Sequence, residues 1–414
     1  MHYFDYREGE LKAEGVSLSH IAEVAQTPCY VYSHSAICSA WQAFRDALTP
    51  YPHQICYAVK ANSNLAVLST LAKLGSGFDI VSGGELERVI AAGGDPRQVV
   101  FSGVGKTIAE IERALVNNIF CFNVESQAEL TTLNDVAKKM NKKAPIALRV
   151  NPNIDPMSHP YISTGLKESK FGIAIDEAHA LYQQAQGLSH IEIKGIACHI
   201  GSQITKLSPF IDALERLLGL HKTLKTSGIH LSHIDVGGGL GVCYENETPP
   251  TPAAYANALT ALLKDCGLTL LIEPGRAIVA KAGVLVTKVL YLKESTHKNF
   301  CIVDCAMNDF MRPSLYDAWQ AISPVKQGHQ GEPLLYDVVG PVCESGDFLG
   351  KDRALAVKQN DLLVIHDTGA YGFAMSSNYN TRPKAAEVMV KDTTFKIVRP
   401  RELLSDLMAK EVLW

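Results

Sequence analysis

From about residue 50 to 275, short apolar runs alternate with longer stretches in which apolar residues return every three or four positions. The short runs, at 54–59, 77–81, 98–102, 119–124, 145–150, 193–200, 233–236 and 269–273, predict eight buried strands. The longer stretches, at 65–74, 85–92, 108–117, 127–140, 177–186, 209–226 and 252–265, predict amphipathic helices. Local chemistry supports these starts. Thr107 followed by Glu110 is a capping box, and Ser208 precedes a first-turn proline, Pro209. Apolar strands alternating with helices mean a parallel sheet covered on both faces. Eight such units predict an α/β fold of the (β/α)₈ barrel type over an open doubly wound sheet. After residue 281 the texture changes. Strand-like runs at 284–292, 300–305, 334–339, 361–365, 386–390 and 395–398 follow with few long helical patterns between them. They predict a second, antiparallel β domain. The expected organisation is a barrel at 28–280 and a β domain built from 1–27 and 281–414.

Composition narrows the classes of function. The chain has 414 residues and a formal net charge of −4, which suggests neither nucleic acid nor an anionic membrane as a partner. No apolar run approaches the length of a membrane span, and the polar, acidic N-terminus does not read as a signal peptide. The ten cysteines form no CxxC pair, so reduced thiols and a cytoplasmic location are expected. No zinc-type spacing of His and Cys is present, and no metal is expected.

In a (β/α)₈ barrel the chemistry collects at the C-terminal ends of the strands. Lys60 follows the first strand, at the rim of a core, where partial desolvation disfavours an ammonium and favours a nucleophilic amine. Taken alone, a strand-end lysine is far more often a solvated cap. Asp79 lies on the second strand. His199 follows the sixth, where a satisfied core histidine is the plainer reading. The run from Gly237 to Gly241 follows the seventh strand. It is either an ordinary turn or a backbone cradle for an anion, at the usual phosphate position of this fold. Glu273 ends the eighth strand, and a carboxylate that deep requires a partner. A protonated pyridine nitrogen is one. Arg276 follows, either at the surface or as a second anion contact. A lysine, a phosphate loop, a carboxylate and a histidine around one barrel mouth point to pyridoxal 5′-phosphate.

The strings YAVKAN (57–62), FDIVSGGEL (78–86), RVNP (149–152), SKFGI (169–173), HIGSQI (199–204), DVGGGLG (235–241), EPGR (273–276), MNDFMRPSLYDA (307–318), GPVCESGDFL (340–349) and GAYGFAMSSNYN (369–380) occur in this order. With them the chain resembles the fold-type III, alanine-racemase-like family of pyridoxal-phosphate decarboxylases over nearly its whole length. The closest resemblance is to the branch acting on meso-2,6-diaminopimelate. That resemblance implies the last step of lysine biosynthesis, giving L-lysine and CO₂. It implies Lys60 as the residue bonded to the cofactor, His199 stacked on its ring and Glu273 at its pyridine nitrogen. Asp79, Ser202, Gly237, Gly238, Gly239, Gly275, Arg276 and Tyr371 would complete the cofactor's surroundings. Arg276, Arg312, Tyr316 and Tyr371 would receive the substrate's carboxylates and Glu344 its distal ammonium. Cys343 would return a proton to Cα. In the family Cys343 and Glu344 come from a partner subunit, which implies a homodimer with shared active sites. The string Glu344-Ser345-Gly346-Asp347 after Cys343 is too polar for a core strand. Two alternatives stand beside this reading: an ornithine- or arginine-type decarboxylase, and a non-catalytic pyridoxal-phosphate-binding regulator. The segment 165–172 is expected to close over the substrate.

Overall fold

A computed structural model describes residues 3–155, 164–165, 169–328 and 332–414. Part of the segment expected to close over the substrate, 166–168, lies outside the described residues. The chain divides into two compact units. One comprises Ala40–Val242 and Thr248–Ala277, the other Met1–Ser39, Cys243–Glu247 and Ile278–Trp414.

The first unit is the barrel. Its strands are β1 (His53–Ala58), β2 (Gly77–Ile80), β3 (Val99–Phe101), β4 (Cys121–Val124), β5 (Ala144–Asn151), β6 (Ile191–Ala197), β7 (His233–Asp235) and β8 (Thr269–Ile272). Each pairs in parallel with the next, and β8 pairs with β1, so the sheet closes. Closure removes the edges that an open sheet exposes. The helices between strands are α1 (Leu65–Lys73), α2 (Gly83–Ala91), α3 (Ile108–Val116), α4 (Gln127–Lys139), α5 (Ile175–Gln186), α6 (Ser208–Thr226) and α7 (Pro252–Leu263). Their starts follow local chemistry: Asn64, Ser82, Thr107, Ser126 and Thr251 each accept a first-turn N–H, and Thr107 with Glu110 completes the capping box. Ser208 does not cap α6. The helix starts one residue earlier than expected, with Leu207 at the cap position and Pro209 inside the first turn. A further helix, His34–Leu48, precedes β1.

The barrel interior holds small residues. Cys121, Ala147 and Ala197 cluster against Phe120, whose ring lies 5.2 Å from that of His233. Gly195 makes room for this histidine, because a Cβ there would stand 2.2 Å from His233 Nε2. Beside Gly195 the β5–β6 register slips, between Ile193 and Gly195. Tyr182 of α5 seals the irregularity. Its hydroxyl donates to the Gly195 carbonyl at 2.7 Å and accepts from the Leu148 N–H at 3.4 Å. Burial pushes the Tyr182 hydroxyl well above the ordinary phenol range, so it stays a donor.

The second unit is a mostly antiparallel sheet ordered Phe348–Leu355, Leu334–Val339, Asn299–Val303, Gly283–Lys293, Cys29–Ser33, Ala386–Lys391 and Thr394–Arg399. Leu362–Ile365 joins Gly283–Lys293 to Ile322–Pro324. The expected pattern was antiparallel throughout. Two pairings are parallel instead, Asn299–Val303 with Leu334–Val339 and Ala386–Lys391 with Cys29–Ser33. The parallel neighbours are far apart in sequence, so no hairpin dictates their direction. Phe4–Arg7, Glu10–Ala13 and Val16–Ser17 form a separate meander whose apolar side chains enter this unit's core.

Tyr182→Phe removes one buried donor and acceptor at once. It is expected to lower stability by about 1–3 kcal/mol, read as a lower urea midpoint with an unchanged slope. An unchanged midpoint would show that the β6 irregularity does not depend on the tyrosine.

Candidate active site

Lys60 stands in a 3₁₀ turn, Val59–Ala61, just past β1. Its Nζ lies 2.7 Å from Asp79 Oδ2 on β2; the lysine side chain is 32% exposed and the aspartate fully buried. Burial alone was the sequence-based argument for a neutral amine. The structure differs, because a carboxylate holds the amine.

The loop after β7 is pressed onto the barrel. A Cβ on Gly237 would lie 2.5 Å from the Cys198 carbonyl oxygen, on Gly238 2.2 Å from that of Glu273, and on Gly239 2.5 Å from that of Gly201. Gly237 and Gly239 also have left-handed φ, +69° and +112°. Only glycine meets both demands. His199 follows β6, and its Nδ1 accepts the Gly238 N–H at 3.1 Å. Burial, then the charges of Lys60 and Arg149, hold this imidazole well below the ordinary histidine range. It is a neutral ring with its proton on Nε2. Next to β8, Arg276 donates from Nε and Nη2 to Ser202 Oγ, at 3.2 and 2.9 Å. Gly275 lets this turn lie against Ala58 and Ala61, whose Cβ atoms a side chain there would meet at 3.0 Å.

Glu273 is buried directly after β8. Burial, then the nearby charges of Asp235 and Asp79, push its carboxyl well above the usual range, against the pull of Lys60. Asp235 is pushed up to about 6, chiefly by burial. Asn123 donates weakly to Glu273, at 3.4 Å, and to Ser102. Among the described residues, Asp79 Oδ1 and Asn123 Oδ1 are buried acceptors with no hydrogen-bond donor. The set fits a flat aldehyde cofactor with a phosphate at one end and a basic ring nitrogen at the other. Lys60 would supply the amine and the glycine loop with Ser202 and Arg276 the anion site, and the acidic floor calls for a cation.

Sequence reasoning left out Asp235, Asn123 and Arg149. Arg149 pairs with buried Glu125 at 2.8 Å. Glu125 also accepts the Gly103 and Gly172 N–H groups, and so ties three loops at the barrel's C-terminal face. Asp235 carried the signal used for Glu273, an acid at the end of an apolar strand.

Arg312, Tyr316, Cys343, Glu344 and Tyr371 belong to the second unit. Arg312 opens the short helix Arg312–Tyr316; its guanidinium is buried and lies 4.6 Å from the centre of the Tyr244 ring. Cys343 is exposed, and its N–H donates to Asn380 Oδ1 at 3.1 Å. Glu344 accepts a hydrogen bond from the Tyr379 hydroxyl. Asp347 fastens this loop, accepting the Met307 N–H at 2.7 Å and the Val342 N–H at 2.8 Å. Tyr371 is half-buried in a tight turn with a left-handed φ of 56°.

Residues 34–280 match the pyridoxal-binding domain of the pyridoxal-dependent decarboxylases, the class that barrel and site define. The diaminopimelate decarboxylase of Vibrio cholerae is 59% identical over 99% of both chains. The crystal structure of diaminopimelate decarboxylase from Helicobacter pylori complexed with L-lysine has a TM-score of 0.91 at 45% identity, covering 94% of this chain and 98% of that one. That of diaminopimelate decarboxylase from M. jannaschii in co-complex with L-lysine has a TM-score of 0.94 at 36% identity, covering 99% and 98%. This chain belongs to the diaminopimelate decarboxylase family.

Gly238→Ala forces a methyl group against the Glu273 carbonyl. Overpacking of this kind costs about 1–3 kcal/mol, so pyridoxal phosphate affinity is expected to fall roughly ten- to a hundredfold in equilibrium dialysis. Unchanged affinity would remove the glycine loop from the cofactor site.

Proposed function

We propose that this protein decarboxylates meso-2,6-diaminopimelate to L-lysine and CO₂ with pyridoxal 5′-phosphate as cofactor, and that the residues above carry the reaction. The observation that carries the proposal is the acidic barrel floor, with Lys60 held by Asp79 and Glu273 buried beside Asp235. When bound, the cofactor supplies an electrophilic aldehyde carbon and a ring that accepts the electron pair of the breaking Cα–carboxylate bond. Lys60, held by Asp79, would be the residue that bonds the cofactor. Glu273 would hold a proton at the ring nitrogen. His199, neutral and fixed by the Gly238 N–H, would flank the ring without adding charge. Ser202, Arg276, Tyr371 and the glycine loop fix the phosphate end.

Substrate recognition needs both charge signs, because the far end of diaminopimelate carries an ammonium and a carboxylate. Arg312, Tyr316 and Arg276 read carboxylate, a task suited to the planar fork of arginine. Glu344 reads the ammonium. An ornithine-type enzyme has no distal carboxylate to read, and here Arg312 is buried on Tyr244 at the head of its helix. Cys343 delivers a proton to Cα; its exposed position on a fastened loop suits a group offered to a second copy of the chain. On this reading the enzyme is a homodimer whose two sites each take Cys343 and Glu344 from the other chain. As a biosynthetic enzyme with ten unbridged cysteines it would work in the cytosol.

Purified protein given diaminopimelate, ornithine and arginine separately is expected to release CO₂ and form lysine from the first alone. Turnover of ornithine or arginine would overturn the reading of Arg312 and Glu344. Lys60→Ala is expected to lose the absorption band of the lysine–cofactor linkage. Cys343→Ala should keep that band and lose at least about a hundredfold in kcat, the scale of acid–base contributions. Mixing these two variants is expected to restore part of the activity; no rescue would place each site within one chain.

A further inference from the structure

We propose that Asp235 is a positioning residue that makes a proton-sharing pair with Glu273, and that this pair, not solvent, supplies the proton taken by the cofactor's ring nitrogen. The inference rests on the reading that Glu273 faces that nitrogen.

The geometry binds the two acids and the glycine loop together. Asp235 is 1% exposed at the end of β7, and Glu273 5% exposed after β8. The Gly237 peptide sits between them: its N–H donates to Asp235 Oδ1 at 2.8 Å, and its carbonyl accepts the Glu273 N–H at 2.9 Å. Asp235 Oδ2 is buried and, among the described residues, has no partner of ordinary hydrogen-bond geometry. Two acids this deep and this strongly coupled hold a proton in common rather than two negative charges. Around the pair stand Asp79, Lys60, Asn123, Cys56, Cys198 and Tyr255. Of these Lys60 is the cation, and its ammonium is 2.7 Å from Asp79. The pair therefore meets its own repulsion by keeping one proton. The proton lies chiefly on Glu273, because the Gly237 N–H stabilises the ionised form of Asp235.

The step balances. The carboxyl O–H bond of Glu273 breaks, its electrons stay on oxygen, and an N–H bond forms at the ring nitrogen. A neutral acid and a neutral ring become a carboxylate and a pyridinium side by side. Asp235 stays ionised throughout, so no proton enters from water. Asp235 also ties Gly237 to Glu273, and so links the phosphate loop to the residue at the ring nitrogen.

The test titrates pyridoxal phosphate calorimetrically into cofactor-free protein, in two buffers of different ionisation enthalpy. In Asp235→Asn the side-chain oxygen still accepts from Gly237, while the amide can donate to Glu273 and leave it ionised. The variant is expected to take up about one more proton per chain on binding than the wild type. A second reading uses the cofactor-free stability. Both acids have folded-state values raised above their unfolded ones, so the pair's contribution to stability falls as pH rises from about 4 through about 6, the value for Asp235. Asp235→Asn should flatten that decline. Equal proton uptake and equal pH dependence in the two proteins would overturn the proposal. Glu273→Gln separates the two levels. If it weakens cofactor binding while Asp235→Asn is silent, Asp235 alone is excluded. If it binds the cofactor with wild-type affinity and spectrum, the reading of Glu273 fails.

Discussion

The barrel's C-terminal face depends on one electrostatic constraint: acids held where water cannot solvate them. Asp79, Asp235 and Glu273 are all nearly inaccessible. Each is answered differently. Asp79 takes the ammonium of Lys60, Asp235 takes a backbone N–H from the glycine loop, and Glu273 is pushed by burial towards its protonated form. Unanswered burial of this kind costs several kcal/mol per ion. Each solution uses a group proposed above for the catalytic site. On that proposal the lysine, the loop and the proton are structural compensation and chemical equipment together.

That constraint explains why the glycines follow β7 so closely. The loop must come near enough to offer its N–H groups to Asp235 and His199. At that distance a Cβ on any of three successive residues would collide with backbone carbonyl oxygens. The neutral state of His199, which burial sets first, is reinforced by the same closeness. Its Nδ1 is occupied as an acceptor, and protonating it would set a hydrogen bond against a charge.

Much of this was legible in the chain. Eight apolar runs gave eight strands because a parallel barrel strand is buried on both faces, which writes a continuous signal. Glu273 was legible for the complementary reason, a charge where the pattern allows none. Asp235 carried the same mark, but the glycines after it drew the interpretation toward phosphate alone. The helix His34–Leu48 shows its stripe in Ile37, Trp41, Phe44 and Leu48; alternation read from residue 50 leaves it out. Other features were not written locally. Phe348–Leu355 carries Lys351, Asp352 and Arg353 with a left-handed φ at Asp352, as an edge strand can, and does not read as a strand. Cys29–Ser33 finds its neighbours some 250 residues or more along the chain, at Gly283–Lys293 and Ala386–Lys391. No periodicity announces a pairing so distant.

The division of labour between the two units has an evolutionary consequence. The groups assigned to the cofactor, Tyr371 apart, come from barrel strand ends, and the acids among them are mutually dependent. A change at Asp79, Asp235 or Glu273 unbalances the others. Most of the groups that would discriminate the far end of the substrate, Arg276 apart, stand on a short helix and a loop of the second unit, where Arg312 and Glu344 answer to different neighbours, Tyr244 and Tyr379. Selection for a new amino acid could therefore rewrite those loops one residue at a time, while the barrel is inherited whole. A scaffold of this kind is conservative in its reaction and inventive in its substrates.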